Sequence, residues 1–202
     1  MTQDLADRVR NKVRGLLLSK GTPGMKRSLW NSEFARGRWN NLARTHGDCL
    51  YPHLEKFANG GSILDLGCGL GNTGAELADT AYTHYTGVDI SDVAIQMAKG
   101  QAEQDGRAAK NQYFQSDIVT YQPTQQFDVI LFRESIYYVA GPPLKGILTR
   151  YAQFLKPDGV FMVRLWTGSG KYAGIVDFLE ANYTIVEKHA SESSGPVILV
   201  FR

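Results

Sequence analysis

Apolar positions along this chain change period in a regular order. Leu5, Val9, Val13, Leu16 and Leu17 recur at helical spacing, so the chain opens on a predicted helix. Gly21-Thr22-Pro23-Gly24 interrupts the pattern, and a second helical region is expected within Ser28 to Arg44. A third, about Tyr51 to Phe57, leads into a strand at Ser62. From there short apolar runs alternate with helical stretches. Ile63, Leu64 and Leu66 are apolar with no polar face, the pattern of a strand buried on both sides. Further strand-like runs occupy or end in residues 85–91, 116–118, 127–135 and 154–166. Helical stretches follow the first, second, fourth and fifth runs, at Asn72 to Asp79, Asp92 to Gln104, Leu144 to Leu155 and Lys171 to Ala181. Strand-helix alternation of this kind builds a doubly wound α/β sheet with right-handed crossovers. Two last runs, Tyr183 to His189 and Val197 to Phe201, flank the turn-rich SESSGP and read as a hairpin.

The chemistry concentrates in residues 63–74, ILDLGCGLGNTG. Gly67, Gly69, Gly71 and Gly74 let the chain turn sharply after a strand and pass close beneath a ligand at a helix start. Two ligand classes use such a corner. Gly69, Gly71 and Gly74 fit G-x-G-x-x-G, and Asp89 lies 20 residues beyond Gly69, where a dinucleotide site places its ribose acid. A nicotinamide oxidoreductase is therefore one reading. Asp65 opposes it: a carboxylate two residues before Gly67 would face the pyrophosphate, and like charges repel strongly in a low-dielectric crevice. The sulfonium and ammonium groups of S-adenosylmethionine reverse that sign, so Asp65 favours the methyl donor.

Asp65-Leu66-Gly67-Cys68-Gly69-Leu70-Gly71 resembles the first motif, D-x-G-x-G-x-G, of the class I S-adenosylmethionine-dependent methyltransferases. The resemblance runs in order from about Ile63 to Trp166. It implies a seven-stranded, mostly parallel sheet whose last strand is antiparallel. An N-terminal helical arm over residues 1–58 is expected to serve as a lid on the methyltransferase core of residues 59–202. By the same resemblance Asp65, Gly67 and Gly69 belong to the cofactor turn. Asp89 holds the ribose hydroxyls, Ile90 lies against the adenine, Asp117 faces the adenine amino group with Ile118 beside it, and Arg133 stands at the cofactor edge. Each residue also has an ordinary structural reading: Asp89 as a cap for the helix after Ser91, Asp117 and Lys156-Pro157-Asp158-Gly159 as turn formers.

For the acceptor side, Trp30, Phe34, Arg38 and Trp39 are candidates on the arm, where an aromatic with a nearby arginine suits a carboxylate or an apolar edge; the alternative is that the tryptophans pack the second helix onto the sheet. Tyr137, Tyr138 and Arg164 are placed at the acceptor pocket by the strands that carry them. Glu134 is the candidate proton acceptor, because a closing pocket can raise a carboxylate's pKa toward neutrality, and Tyr138 is the second catalytic candidate. An ion pair with Arg133 or a lysine is the competing role for Glu134. His46 and His53 are near enough in sequence to reach the pocket, and Thr167 to Gly170, followed by Lys171 and Tyr172, is a candidate closing loop.

Composition narrows the picture. With 202 residues, 43% of them hydrophobic, the chain has material for one core. No apolar stretch reaches membrane-spanning length and the N-terminus lacks a signal-peptide core, so a cytoplasmic location is expected. Cys49 and Cys68 form no metal or redox spacing, and the histidines form no metal pattern. Residues 1–46 hold ten basic and three acidic side chains, against twelve and seventeen in the rest. That asymmetry fits a solvated helix face, an anionic substrate or a charged surface. Nucleic acid is the weakest partner, since no amino-methylation motif follows the fourth strand. The sequence thus points to methyl transfer onto oxygen or nitrogen of a small acceptor, anionic or sugar-like; a binding protein that keeps the fold is the non-enzymatic rival.

Overall fold

The computed structural model describes the chain except residues 1, 41–44, 46, 140–142, 168–169, 171 and 191–194, and its side chains from residue 8 onward. Three helices come first: α1 (Thr2–Lys20), α2 (Pro23–Ala35) and α3 (Leu50–Ala58). The core follows as β1 (Ser62–Leu66), α4 (Asn72–Glu76), β2 (His84–Asp89), α5 (Asp92–Gln104), β3 (Asn111–Gln115), β4 (Phe127–Arg133), α6 (Leu144–Ala152), β5 (Leu155–Trp166), α7 (Ala173–Asn182), β6 (Ile185–Ala190) and β7 (Pro196–Phe201). The seven strands form one sheet in the order β3-β2-β1-β4-β5-β7-β6. The pairs β1–β2, β1–β4, β2–β3 and β4–β5 are parallel, whereas β7 runs antiparallel to both β5 and β6. Chain order reverses between β1 and β4, and the carboxyl ends of those strands open the crevice in which such sheets bind ligands.

Both faces of the sheet are covered. Leu64 and Leu66 of β1 join one apolar cluster with Phe132, Leu148 and Phe161, while Ile63 joins the other with Leu54, Tyr85 and Met162. Alternation along a strand then fixes Asp65 on the Ile63 face, and all five β1 residues are buried. A carboxylate is carried into the core by the register that buries its neighbours.

The elements depart from the periodicity at identifiable places. Thr22 and Pro23, read as a break, are the start of α2: Thr22 Oγ1 accepts from the Met25 amide at 3.3 Å and Pro23 fills a first-turn position. Helix α2 consequently starts before Ser28 and ends at Ala35. The expected helix to Asp79 ends at Glu76, and a 3₁₀ turn over Asp79–Ala81 takes up the remainder. Residues 116–118 lie just beyond β3. Lys156 to Gly159 is not a separate turn before the fifth strand. It is a bulge within β5, where pairing jumps from Phe127↔Leu155 to Val129↔Val160.

Gly67 has φ +88°, and a Cβ built there would lie 2.5 Å from Ser135 Cβ. Ser135 cannot retreat easily, because its hydroxyl donates to the Leu66 carbonyl. Gly67→Ala is expected to cost about 3 kcal/mol, combining left-handed strain with overpacking. An unchanged midpoint in denaturant titration would show that the turn relaxes.

Candidate active site

A cavity of about 560 Å³ opens at the carboxyl ends of β1, β2, β4 and β5, beneath the N-terminal helices. Its volume lies in the ordinary range for small-molecule sites. The glycine turn forms its floor. Asp65 is 1% exposed; its Oδ2 accepts from the Tyr85 hydroxyl at 2.6 Å, while Oδ1 is buried with no hydrogen-bond partner. Burial pushes the Asp65 pKa up to about 6, against the lowering effect of the Tyr85 hydroxyl, the nearby Arg133 and the Thr73 hydroxyl. A buried acceptor oxygen left unpaired is costly, and such atoms call for an explanation.

Asp89 closes the next side. Its Oδ2 accepts from the Gly69 amide at 3.0 Å and its Oδ1 from the Ser91 amide at 2.9 Å, which fastens the glycine turn to the end of β2. Burial raises its pKa although backbone bonds from Ser91, Gly69 and Ile90 oppose the shift. Ser91, not Asp89, is the N-cap of α5, its hydroxyl accepting from the Ala94 amide. Ile90, Asp117 and Ile118 also line the cavity. Asp117 forms an Asx turn, accepting from the Val119 amide at 2.8 Å, so its turn role and its place at the cavity coexist.

The opposite end is a chain of charges. Arg133 Nη2 donates to Asp48 Oδ2 at 2.8 Å, and Arg164 donates to Asp48 Oδ1 at 3.3 Å through Nε. Arg164 Nη1 also pairs with Glu134 Oε1, and Tyr137 donates its hydroxyl to Glu134 Oε2. The ion pair of Glu134 is thus with Arg164, from the neighbouring strand, rather than with Arg133 or a lysine. Glu134 has φ +53°, a left-handed conformation uncommon for a residue with a side chain and frequent at functional sites. Arg133 makes two more bonds, to the Tyr51 hydroxyl at 3.0 Å and Thr73 Oγ1 at 3.2 Å. Tyr51 in turn donates its hydroxyl to Glu76 Oε2 at 2.8 Å, and burial lifts its pKa to about 12.

Asp48 is the residue that sequence reasoning missed. The one available signal was its position two residues before α3, where its Oδ1 accepts from the Leu50 amide at 3.0 Å. The two arginines and the Leu50 amide hold its carboxyl below the usual aspartate range despite burial.

Aromatic side chains make the remaining wall. Trp30, Phe34 and Trp39 of the arm line the cavity with Tyr137, Tyr138 and Trp166. Trp30 meets Tyr138 edge-on at 5.2 Å, and Tyr172 stacks on Tyr137 at 4.3 Å. The arm is anchored at the start of α5: Asn31 donates to Asp92 Oδ1 and accepts from Ser91 Oγ. Arg38 is not brought into the cavity; it ion-pairs with Glu33, which also binds Arg14 and the Trp39 indole. Nor does His53 reach it, since its Nδ1 pairs with Glu187 on β6. His46, Lys171 and residues 168–169 of the candidate closing loop lie outside the described residues. Cys68, buried in the glycine turn, has its pKa raised by burial beside Asp89 and Asp65, so it stays a thiol. Among the described residues no group of three or more His, Cys, Asp or Glu is placed to hold a metal, and no helix is long and apolar enough to cross a membrane.

Residues 63–159 match a family described as a methyltransferase domain. The chain is 31% identical over 150 residues to the sterol 24-C-methyltransferase ERG6A of Gibberella zeae, covering 74% of this chain and 39% of that protein. To ERG6B of the same organism it is 28% identical over 144 residues, covering 71% and 37%. It therefore spans under two fifths of the length of these curated relatives. Among solved structures, the N-methyltransferase NodS from Bradyrhizobium japonicum WM9, in complex with S-adenosyl-L-homocysteine, superposes with a TM-score of 0.66. The identity is 18%, over 87% of this chain and 97% of that one.

Proposed function

We propose that this chain, which belongs to the class I S-adenosylmethionine-dependent methyltransferases, uses the cavity to pass a methyl group from that donor to a small-molecule acceptor. The observation that carries the proposal is the unpartnered Oδ1 of Asp65 at the end of β1. A cationic ligand supplies what this oxygen lacks, and a diphosphate does not. The donor brings an ammonium, a ribose, an adenine and, at its sulfonium, a methyl group activated for displacement. Asp65 takes the ammonium, Asp89 the ribose hydroxyls, Ile90 and Ile118 the adenine faces, and Asp117 the adenine amino group. Gly67 and Gly69 keep the floor free of side chains, and Arg133 closes the methionine end.

Displacement at a sulfonium needs alignment more than acid-base help, so the chain's contribution is mainly positioning. Glu134, steered by Arg164 and Tyr137, orients an acceptor hydroxyl or amine and accepts its proton where one is released. Tyr138 supplies a packing edge next to Trp30 and Trp39. Arg133 and Arg164 are already neutralised by Asp48 and Glu134, which argues against an anionic or sugar-like acceptor bound through them. The aromatic wall favours an acceptor with an apolar face. We assign the methyl to oxygen or nitrogen; the sterol 24-C-methyltransferases among the relatives favour carbon as the second reading.

Two measurements test this. S-adenosylhomocysteine at 100 times its Kd is expected to add about 2.7 kcal/mol of stability, seen as a higher Tm, while NAD(P) adds none. Asp89→Ala should remove that rise; a rise retained in the variant overturns the ribose assignment. Incubation of metabolite and lipid extracts with isotopically labelled donor, read by mass spectrometry, then identifies the acceptor and atom. Loss of all transfer with cofactor binding intact would leave a binding protein on this fold.

A further inference from the structure

Among the described residues the outward face of α1 has no cover. Val9, Val13 and Leu16 are 55%, 50% and 57% exposed, and their spacing sets them on one side of the helix. The other side is occupied: Arg14 pairs with Glu33, and Leu18 lines the cavity. Flanking the apolar stripe are the exposed Arg8, Lys12 and Lys20, and no acidic residue falls between Arg8 and Lys20. At the corner into α2, Met25 is also exposed, at 48%.

We propose that this face of α1 docks on an anionic phospholipid surface. A solvated helix presents polar groups outward, and three large apolar side chains in a row are not that. A second copy of the same face would oppose basic side chains to basic side chains. An anionic bilayer interface answers both features, taking the apolar stripe into the headgroup boundary and the flanking cations onto phosphates. Charge along the chain agrees in direction, since the basic excess is confined to residues 1–46 and the remainder is acidic. Helix α1 carries too many charges to insert across the membrane, so it lies in the interface plane. Its back wall is the cavity wall at Leu18, with Lys26 of α2 beside it.

The proposal is tested by vesicle sedimentation, which requires no methyl transfer and therefore fails or succeeds apart from the catalytic reading. Wild-type protein is expected to sediment with mixed phosphatidylcholine and phosphatidylglycerol vesicles, not with phosphatidylcholine alone, and to be released by added salt. Val13→Glu with Leu16→Glu should lower vesicle affinity at least about tenfold, and Lys12→Glu several-fold. Both variants should keep the wild-type circular dichroism and the Tm rise with S-adenosylhomocysteine, because these side chains point away from the cavity. Equal binding to neutral and anionic vesicles, or undiminished binding by the double variant, overturns the proposal. So does a concentration-dependent dimer that the double variant abolishes without any vesicle binding, which would make a second copy the occupant.

Discussion

Asp65→Asn is expected to raise the Tm of the ligand-free protein while abolishing the rise produced by S-adenosylhomocysteine. The side chain is buried, with one oxygen unpaired, and burial lifts its pKa from 3.8 to about 6. Its folded pKa lies above its unfolded one, so ionisation costs the fold increasingly as pH rises from about 4 to 6, and the full cost applies above 6. At pH 7.5 that cost is on the order of 3 kcal/mol. Asparagine removes it, and the amide can still accept from the Tyr85 hydroxyl. Its NH₂ brings hydrogens that also need partners, so the net gain is about 1–2 kcal/mol, or roughly 3–6 °C in Tm. In the proposed cofactor site the same charge is the counter-ion for the donor's ammonium. Cofactor affinity of the wild type should therefore weaken as pH falls through about 6, where Asp65 protonates, and any affinity left in the variant should lose that step. Calorimetric melting at pH 7.5 and titration calorimetry between pH 5 and 8 check both parts. A lower Tm, or a variant that binds as tightly as wild type, would show that Asp65 is a structural residue. A fold that carries a destabilising charge only because its ligand needs it is a familiar exchange of stability for function.

That strain was half legible in the sequence. The spacing of Asp65 to the glycines placed it at the cavity, and the apolar neighbours on both sides placed its strand in the core. How deep the carboxylate sits follows only from the packing of Tyr85 against it. The strand and helix order was readable because β1 and β4 are covered on both faces and leave largely apolar runs. Where local chemistry has two meanings, the reading slipped. Pro next to Thr reads as a breaker or as a helix start, and the fold chose the start. Lys156 to Gly159 has turn chemistry, which here serves as a bulge that lets β5 keep pairing with β4. The acceptor side was the least legible part. Asp48 meets Arg133 and Arg164 across 85 and 116 residues of chain, and no local pattern announces a contact of that span. Arg38 has the composition of a site residue and lies next to the tryptophans, yet Glu33, five residues earlier, draws it away.

Asp48→Ala is expected to cost about 3 kcal/mol, since removal of one partner from a buried pair leaves charge without compensation. Two cations are affected: the Arg133 and Arg164 side chains are 11% and 16% exposed, and both bind the same carboxylate, so its loss sets like charges against each other. The helix start at Leu50 loses its side-chain acceptor as well. Asp48→Asn separates these effects, because it keeps an acceptor for the Leu50 amide and drops only the charge; its cost should fall between wild type and alanine. Sign and window follow from linkage. The folded-state pKa of Asp48 is depressed, so its contribution is complete above about pH 4 and is lost as pH falls through the folded value. Wild type and Asp48→Ala should therefore differ most in denaturant midpoint near neutrality and converge in acid. Catalysis reports on the same link independently. Arg164 holds both Asp48 and Glu134, and Glu134 sits in a left-handed backbone conformation that its surroundings must maintain. Release of Arg164 lets Glu134 shift relative to the cavity, and a displacement of about 1 Å is enough to lower transfer roughly 10²-fold. In the proposed assignment Asp65 and Asp89 hold the ammonium and ribose, so cofactor affinity should fall less than transfer, and only through the release of Arg133. An Asp48→Ala protein that transfers methyl groups at the wild-type rate would detach this charge network from the reaction and leave it a purely structural clasp between the arm and the sheet.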